Sequence, residues 1–185
     1  MSAKPDTSPS SYASLGPADP EKGFDIRIDR EGVWWHEGGR IERLALVKLF
    51  STVLRKDEKG RYWLVTPVER GTIEVEDAPF VAVALTVEGS GRDQVLRFRT
   101  NLDQEVEAGP DRPIRVETDP GTGEPRPYIL VRDNLEARIN RPVFYELVER
   151  GVAPPDAGTS AHQDESDQIG IWSKGTFFPL GSLRG

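Results

Sequence analysis

Polar and apolar residues alternate in Asp25-Ile26-Arg27-Ile28-Asp29, pause at Glu31-Gly32, and return in Val33-Trp34-Trp35-His36, which predicts a hairpin of two short strands. Gly38-Gly39 breaks that period. Ile41, Leu44, Ala45, Leu46, Val47, Leu49, Phe50, Val53 and Leu54 then fall largely at three- and four-residue spacing, the signature of an amphipathic helix whose Leu46 and Phe50 face a sheet. Glu42 in its first turn and Arg55 and Lys56 in its last suit the helix dipole. Strands follow at 62–66 and 72–76, so the first unit reads β-β-α-β-β. The run 80–87 has no polar alternation and reads as a central strand covered on both faces; Gly89-Ser90-Gly91 then supplies a boundary or a hairpin.

The second half repeats the theme. Weaker strands at 94–100, 104–107 and 114–118 precede a hairpin at 126–131 and 135–139. Asn140 then caps a helix with Pro142 in its first turn, Val143, Phe144, Leu147 and Val148 as its apolar stripe, and Gly151 as its stop. A polar connection over 152–167 leads to strands at 168–172 and 176–180. Ile28-Asp29-Arg30-Glu31-Gly32-Val33 is echoed 102 positions on by Leu130-Val131-Arg132-Asp133-Asn134-Leu135, and each copy runs into a helix and another strand pair. The reading is a duplicated chain with three parts: a disordered tail over 1–22, an N-terminal domain over 23–89 and a C-terminal domain over 90–185. The tail is assigned by its wealth of Ser, Pro, Ala and Asp.

Composition narrows the function classes. Lys and Arg number 24 against 31 Asp and Glu, a net charge of −7, which supplies no global cationic footprint for nucleic acid. The absence of cysteine removes disulfides and thiolate chemistry. No apolar run approaches the roughly 18 residues of a membrane span, so a soluble cytoplasmic protein is expected.

Candidate chemistry is sparse. His36 beside Glu37 suggests a general base with its orienter, but neighbours on a strand point to opposite faces; His162 sits in the polar connection. Glu74 and Glu76 share a strand face next to Asp77, a pattern that serves a hard metal or a solvated edge equally well. No Gly-x-Ser-x-Gly elbow or phosphate-binding loop is present. No catalytic residue, metal ligand or cofactor is therefore assigned. The set that stands out is Arg27, Arg97, Arg99 and Arg132: Arg97 and Arg99 share one face, and Arg27 and Arg132 lie in the echoed hairpins. Converging guanidiniums bind carboxylate or phosphate bidentately, whereas an acidic protein also pairs such residues with its own acids. The Trp34-Trp35 pair places one indole on each side of its strand, and Trp63, Trp172, Phe177 and Phe178 are expected in the cores.

Gly32-Val33-Trp34-Trp35-His36, Leu46-Val47-Lys48-Leu49-Phe50, the stretch 62–69 and Val75-Glu76-Asp77-Ala78-Pro79-Phe80 resemble a bacterial family known as domain of unknown function 1285, and the likeness spans nearly everything after residue 23. The resemblance implies a two-domain mixed α and β protein with repeated structural motifs. It implies no reaction, cofactor or catalytic residue; ligand binding or signalling is the usual conjecture for such proteins.

The expected fold is α+β, two small mixed domains with repeated β-β-α-β-β motifs, in which mainly antiparallel, strongly bent sheets are each packed by one helix. The expected function is non-catalytic binding of a small anionic ligand at an inter-domain cleft, as in a sensor, with Arg97, Arg99, Trp34, Arg27 and Arg132 as contacts. Clefts between domains are frequent ligand sites. Two alternatives remain open: a protein-interaction scaffold, and a carboxylate-dependent metal hydrolase using Glu74, Glu76 and Asp77.

Overall fold

The computed structural model describes residues 8–155 and 167–183 of the 185. The chain divides into two compact units, residues 1–79 and 80–185. The fold is α+β, and the described residues form two α-helices and two curled six-stranded mixed sheets.

In the first unit β1 (Ile26–Ile28), β2 (Trp34–His36) and β3 (Gly39–Arg40) form one antiparallel meander. After α1 (Leu44–Thr52), a second meander follows in β4 (Leu54–Lys56), β5 (Tyr62–Val65) and β6 (Arg70–Val75). The two join through β1 and β6, which run parallel, giving the order β3-β2-β1-β6-β5-β4. The helix therefore links one edge strand to the other. Its inward face carries Val47, Leu49 and Phe50, and the Phe50 ring lies 6.3 Å from Trp34. The helix is shorter than its apolar period suggested: it starts after Arg43, leaving Glu42 outside, and Arg55 and Lys56 belong to β4. The dipole contribution expected of those three residues is absent.

The second unit repeats the strand order with different wiring. β7 (Phe80–Glu88), β8 (Val95–Thr100) and β9 (Glu105–Glu107) make one meander, and β10 (Ile114–Thr118), β11 (Pro125–Arg132) and β12 (Leu135–Ile139) make the other. Again the first and last strands, β7 and β12, pair in parallel at the centre. Here, however, β9 and β10 are joined by residues 108–113 alone, and Gly109 and Arg112 exchange two backbone hydrogen bonds of 3.1 Å, a tight turn. In a flat sheet those edge strands would stand roughly 24 Å apart, five spacings of about 4.8 Å. A six-residue connection that includes a tight turn is too short for that span, so the sheet must curl. α2 (Arg141–Glu149) follows β12, and β13 (Gln168–Ser173) with β14 (Thr176–Ser182) forms a separate hairpin.

That hairpin is tied to the sheet by hydrogen bonds from Lys174 N–H to Gln94 O and from Gln94 Nε2 to Trp172 O, both of 2.9 Å, and by one buried hydroxyl. Ala108 N–H donates to Leu96 O at 2.9 Å, but the return bond of this ladder step is made through Ser173, whose buried Oγ accepts Leu96 N–H at 3.0 Å and donates to Ala108 O at 2.7 Å.

Four expectations are corrected. The strand at 80–87 opens the second unit rather than closing the first, because its partners are β8 and β12; Pro79 marks the boundary, and Gly89-Ser90-Gly91 takes its other reading, in the loop of the β7–β8 hairpin. Its far half is also half-exposed, not covered on both faces. Residues 8–22, read as a disordered tail, contain a 3-10 helix over Pro9–Leu15 with Tyr12 and Leu15 buried, and Ala18 N–H donates to Glu69 Oε1 at 2.6 Å. Two apolar anchors suffice to fix a polar segment when its backbone finds acceptors. The echo offset by 102 positions matches a pattern and not the geometry: it sets the first hairpin of one sheet against the last of the other. Asp29 closes a three-residue turn, whereas Asp133 adopts φ 49° in a two-residue turn. Residues 1–7 of the tail and 156–166 of the polar connection, with His162, lie outside the described residues.

Replacing Ser173 by Ala leaves Leu96 N–H and Ala108 O without a partner, so urea unfolding is expected to show a loss of about 1–3 kcal/mol per orphaned group. An unchanged midpoint and slope contradicts the role given to the hydroxyl.

Candidate functional site

Two seven-residue stretches that the sequence reading did not connect, Asp29-Arg30-Glu31-Gly32-Val33-Trp34-Trp35 and Asp57-Glu58-Lys59-Gly60-Arg61-Tyr62-Trp63, fold alike. In each the Asp opens a three-residue hairpin loop, and a glycine at φ 81° or 80° takes the left-handed position that a side chain disfavours. Asp29 Oδ1 accepts the N–H groups of Glu31 and Val33 at 3.0 and 2.9 Å, and Oδ2 accepts the Trp35 indole N–H at 2.8 Å. Asp57 does the same for Lys59, Arg61 and, at 2.9 Å, the Trp63 indole. One carboxylate thus closes the turn and orients the indole six residues on. Partial burial pushes the Asp29 carboxyl upward, but the indole and the two backbone donors outweigh it and hold it below the usual range. The Trp63 indole, with the Arg61 donors, holds Asp57 down to about 2.

The oriented indoles carry arginines. The Arg27 guanidinium lies 5.3 Å from the Trp35 ring centre, on the neighbouring strand, and pairs with Glu76 at 2.8 Å; Arg61 and Arg70 lie 5.3 and 5.5 Å from Trp63.

Beside the Arg27–Trp35 stack is a recess of about 590 Å³, lined among others by Lys22, Asp25, Thr72 and Glu74. Its rim is conformationally unusual. Asp25 and Glu37 both adopt φ 51°, joined by a 3.1 Å bond from Glu37 N–H to Asp25 O, and Gly23 and Gly38 also have positive φ. Non-glycine residues in this region are uncommon, and such strain gathers at binding sites. Gly23 admits no other residue: a Cβ there would sit 2.1 Å from Thr72 O. Residues 19–23, which supply Lys22, are pinned by reciprocal bonds between Asp19 and Gly23 and by Asp19 Oδ1 accepting the Glu21 and Lys22 N–H groups.

Profiles described as "Domain of unknown function (DUF1285), N-terminal domain" and "Protein of unknown function (DUF1285), C-terminal domain" match residues 17–78 and 79–180. The chain belongs to the DUF1285 family. A crystal structure of a DUF1285 family protein from Silicibacter pomeroyi DSS-3 is 41% identical, with a TM-score of 0.78 over 94% of this chain and 95% of that one. A second, from Shewanella baltica OS155, is 21% identical with a TM-score of 0.53 over 74% and 94%, and shares the fold. No curated protein matches the chain.

In this DUF1285 chain the predicted contacts are dispersed. Arg97 lies between Glu88 and Glu107, which raise its pKa, and Glu107, held by Lys174 and Arg97, falls to about 2. Arg99 pairs with Asp103 and Arg132 with Asp133, each at 3.4 Å. Arg132 closes β11, three strands from β8, which carries Arg97 and Arg99. Trp34 is 1% exposed and faces the core, its indole N–H without an acceptor; Trp35 is the half-exposed partner. Trp63, Trp172 and Phe177 are half-buried, and only Phe178 of that set is core. Glu76 accepts from Arg27 and from Arg30 N–H, and among the described residues no three His, Asp or Glu side chains gather to hold a metal. Of the predicted contacts, Arg27 alone lines the recess. The missed signal was the Asp-x-x-Gly-x-x-Trp repeat at an offset of 28.

Because the folded state depresses the Asp57 pKa, its stabilisation is complete above about pH 4 and is lost as pH falls through about 2. The stability gap between wild type and Asp57→Asn, measured by denaturant titration, should therefore shrink between pH 4 and pH 2. A constant gap contradicts the assigned geometry.

Proposed function

We propose that the protein is a non-catalytic binding protein, of the kind that serves sensing, whose N-terminal unit takes up a small anionic ligand that also carries hydrogen-bond donors. The observation that carries this reading is the recess at the Arg27–Trp35 stack. Its volume falls within the roughly 300–1,000 Å³ usual for ligand pockets. Arg27 is held flat by an indole that is itself held by Asp29, so little side-chain freedom remains to be lost on binding. Lys22 adds a second cation for the ligand's anionic group, while the other charged groups of the lining, Glu21, Asp25 and Glu74, suit its donors and disfavour a second negative charge. Among the described residues no helix is long and apolar enough to cross a membrane, and the lack of cysteine fits a cytoplasmic setting.

A thermal-shift screen of amino acids, hydroxy acids and other small anions tests the reading. A ligand present at 100 times its Kd stabilises by about 2.7 kcal/mol, a shift of several degrees. Arg27→Ala should abolish that shift, measured against its own ligand-free midpoint. No shift across the panel, or an equal one in the variant, contradicts it.

A further inference from the structure

The C-terminal unit holds a second recess, about 190 Å³ in volume, at the start of α2. Arg138, from the end of β12, and Arg141, from the first turn of the helix, both line it. The remaining wall is apolar: Pro125, Pro127, Ile139 and Phe144. Tyr145 also lines it, and its position is informative. It stands outside the helix's buried stripe of Val143, Phe144 and Leu147, is 56% exposed, and joins none of the ring or cation stacks found among the described residues. A large aromatic side chain with no packing role, beside two guanidiniums, is what a planar anionic ligand needs for cover.

We infer that this recess binds a small aromatic carboxylate, independently of the N-terminal site. The volume matches one six-membered ring with a carboxylate: about six water volumes of 30 Å³. Arg138 is pre-positioned. Its guanidinium lies 5.4 Å from the centre of the Tyr128 ring and 3.4 Å from the Tyr128 hydroxyl, and Tyr128 is buried with Arg115 on it at 4.4 Å. Arg141 is the exchangeable half. Its partner Glu124, on the rim, is 3.4 Å away, and both side chains are more than 60% exposed, so the pair is weak and open to displacement. The ligand carboxylate replaces Glu124 on Arg141, while its ring lies against Pro125, Phe144 and Tyr145. Two cations against one carboxylate leave the recess net positive before the ligand enters.

Sodium benzoate is the probe, titrated into the ¹⁵N-labelled full chain, with benzamide as the neutral isostere and acetate as the anion without a ring. Benzoate should perturb amide signals of residues 138–145 saturably, while benzamide and acetate leave them unmoved. Arg141→Ala, at an exposed position that the fold does not need, should weaken benzoate at least tenfold, and Glu124→Gln should tighten it. Arg27→Ala should leave this titration unchanged, which separates the inference from the N-terminal reading. Equal responses to benzoate and benzamide, perturbation elsewhere in the chain, or unaltered binding by Arg141→Ala would each overturn the assignment.

Discussion

A carboxylate that accepts an indole N–H while closing its own turn is the interaction on which the N-terminal unit depends. At Asp29 and again at Asp57, one side chain satisfies two backbone donors of the loop and a third donor on the ring six residues later. The consequence reaches beyond the turn. Trp35 and Trp63 are fixed as half-exposed plates on the sheet, and arginines settle on them. Without its acceptor the Trp35 ring would be free to rotate, Arg27 would lose its support, and the recess would lose a wall. Asp29 is itself only 9% exposed, so the same bond offsets the cost of burying its charge.

A second constraint is the length of one connection. Both sheets set two meanders side by side around a central parallel pair, so in both the third and fourth strands lie at opposite edges. Where α1 spans that gap, the helix fills the concave side of the sheet with Phe50 against Trp34. Where six residues span it, the sheet must curl, and the β13–β14 hairpin is joined to it through Ser173. One topology is thus wired in two ways. The difference is decided by chain length between strands, a quantity plain in the sequence once the strands are paired, but not before.

The elements themselves were legible because their signals are local. The Asn140 cap, whose Oδ1 accepts Val143 N–H, and Pro142 in the first turn of α2 are written in the residues that form them. The first hairpin and the strands at 62–66 and 72–76 follow from period two. What failed was non-local. Phe80-Val81-Ala82 looks the same whether it closes one sheet or opens another, and only its pairing with β8 and β12 decides. Residues 8–22 are polar enough to read as disordered, yet Tyr12 and Leu15 find a core that no local pattern announces. At the site, Arg97 pairs with acids on the adjoining strands β7 and β9, and Arg99 and Arg132 pair with aspartates in turns. Arg27, itself paired with Glu76, lines the N-terminal recess beside a tryptophan that Asp29 holds still, and the aspartate and glycine of that turn stand in the sequence as the Asp-x-x-Gly-x-x-Trp repeat.

The most direct test of this account is the exchange of the indole protons with solvent, read from ¹⁵N–¹H spectra at neutral pH. The Trp35 and Trp63 signals should exchange markedly more slowly than that of Trp172, which is likewise half-exposed but donates to no carboxylate among the described residues. Equal exchange at all three would show that Asp29 and Asp57 do not hold the rings, and the recess would lose the wall on which its function is argued.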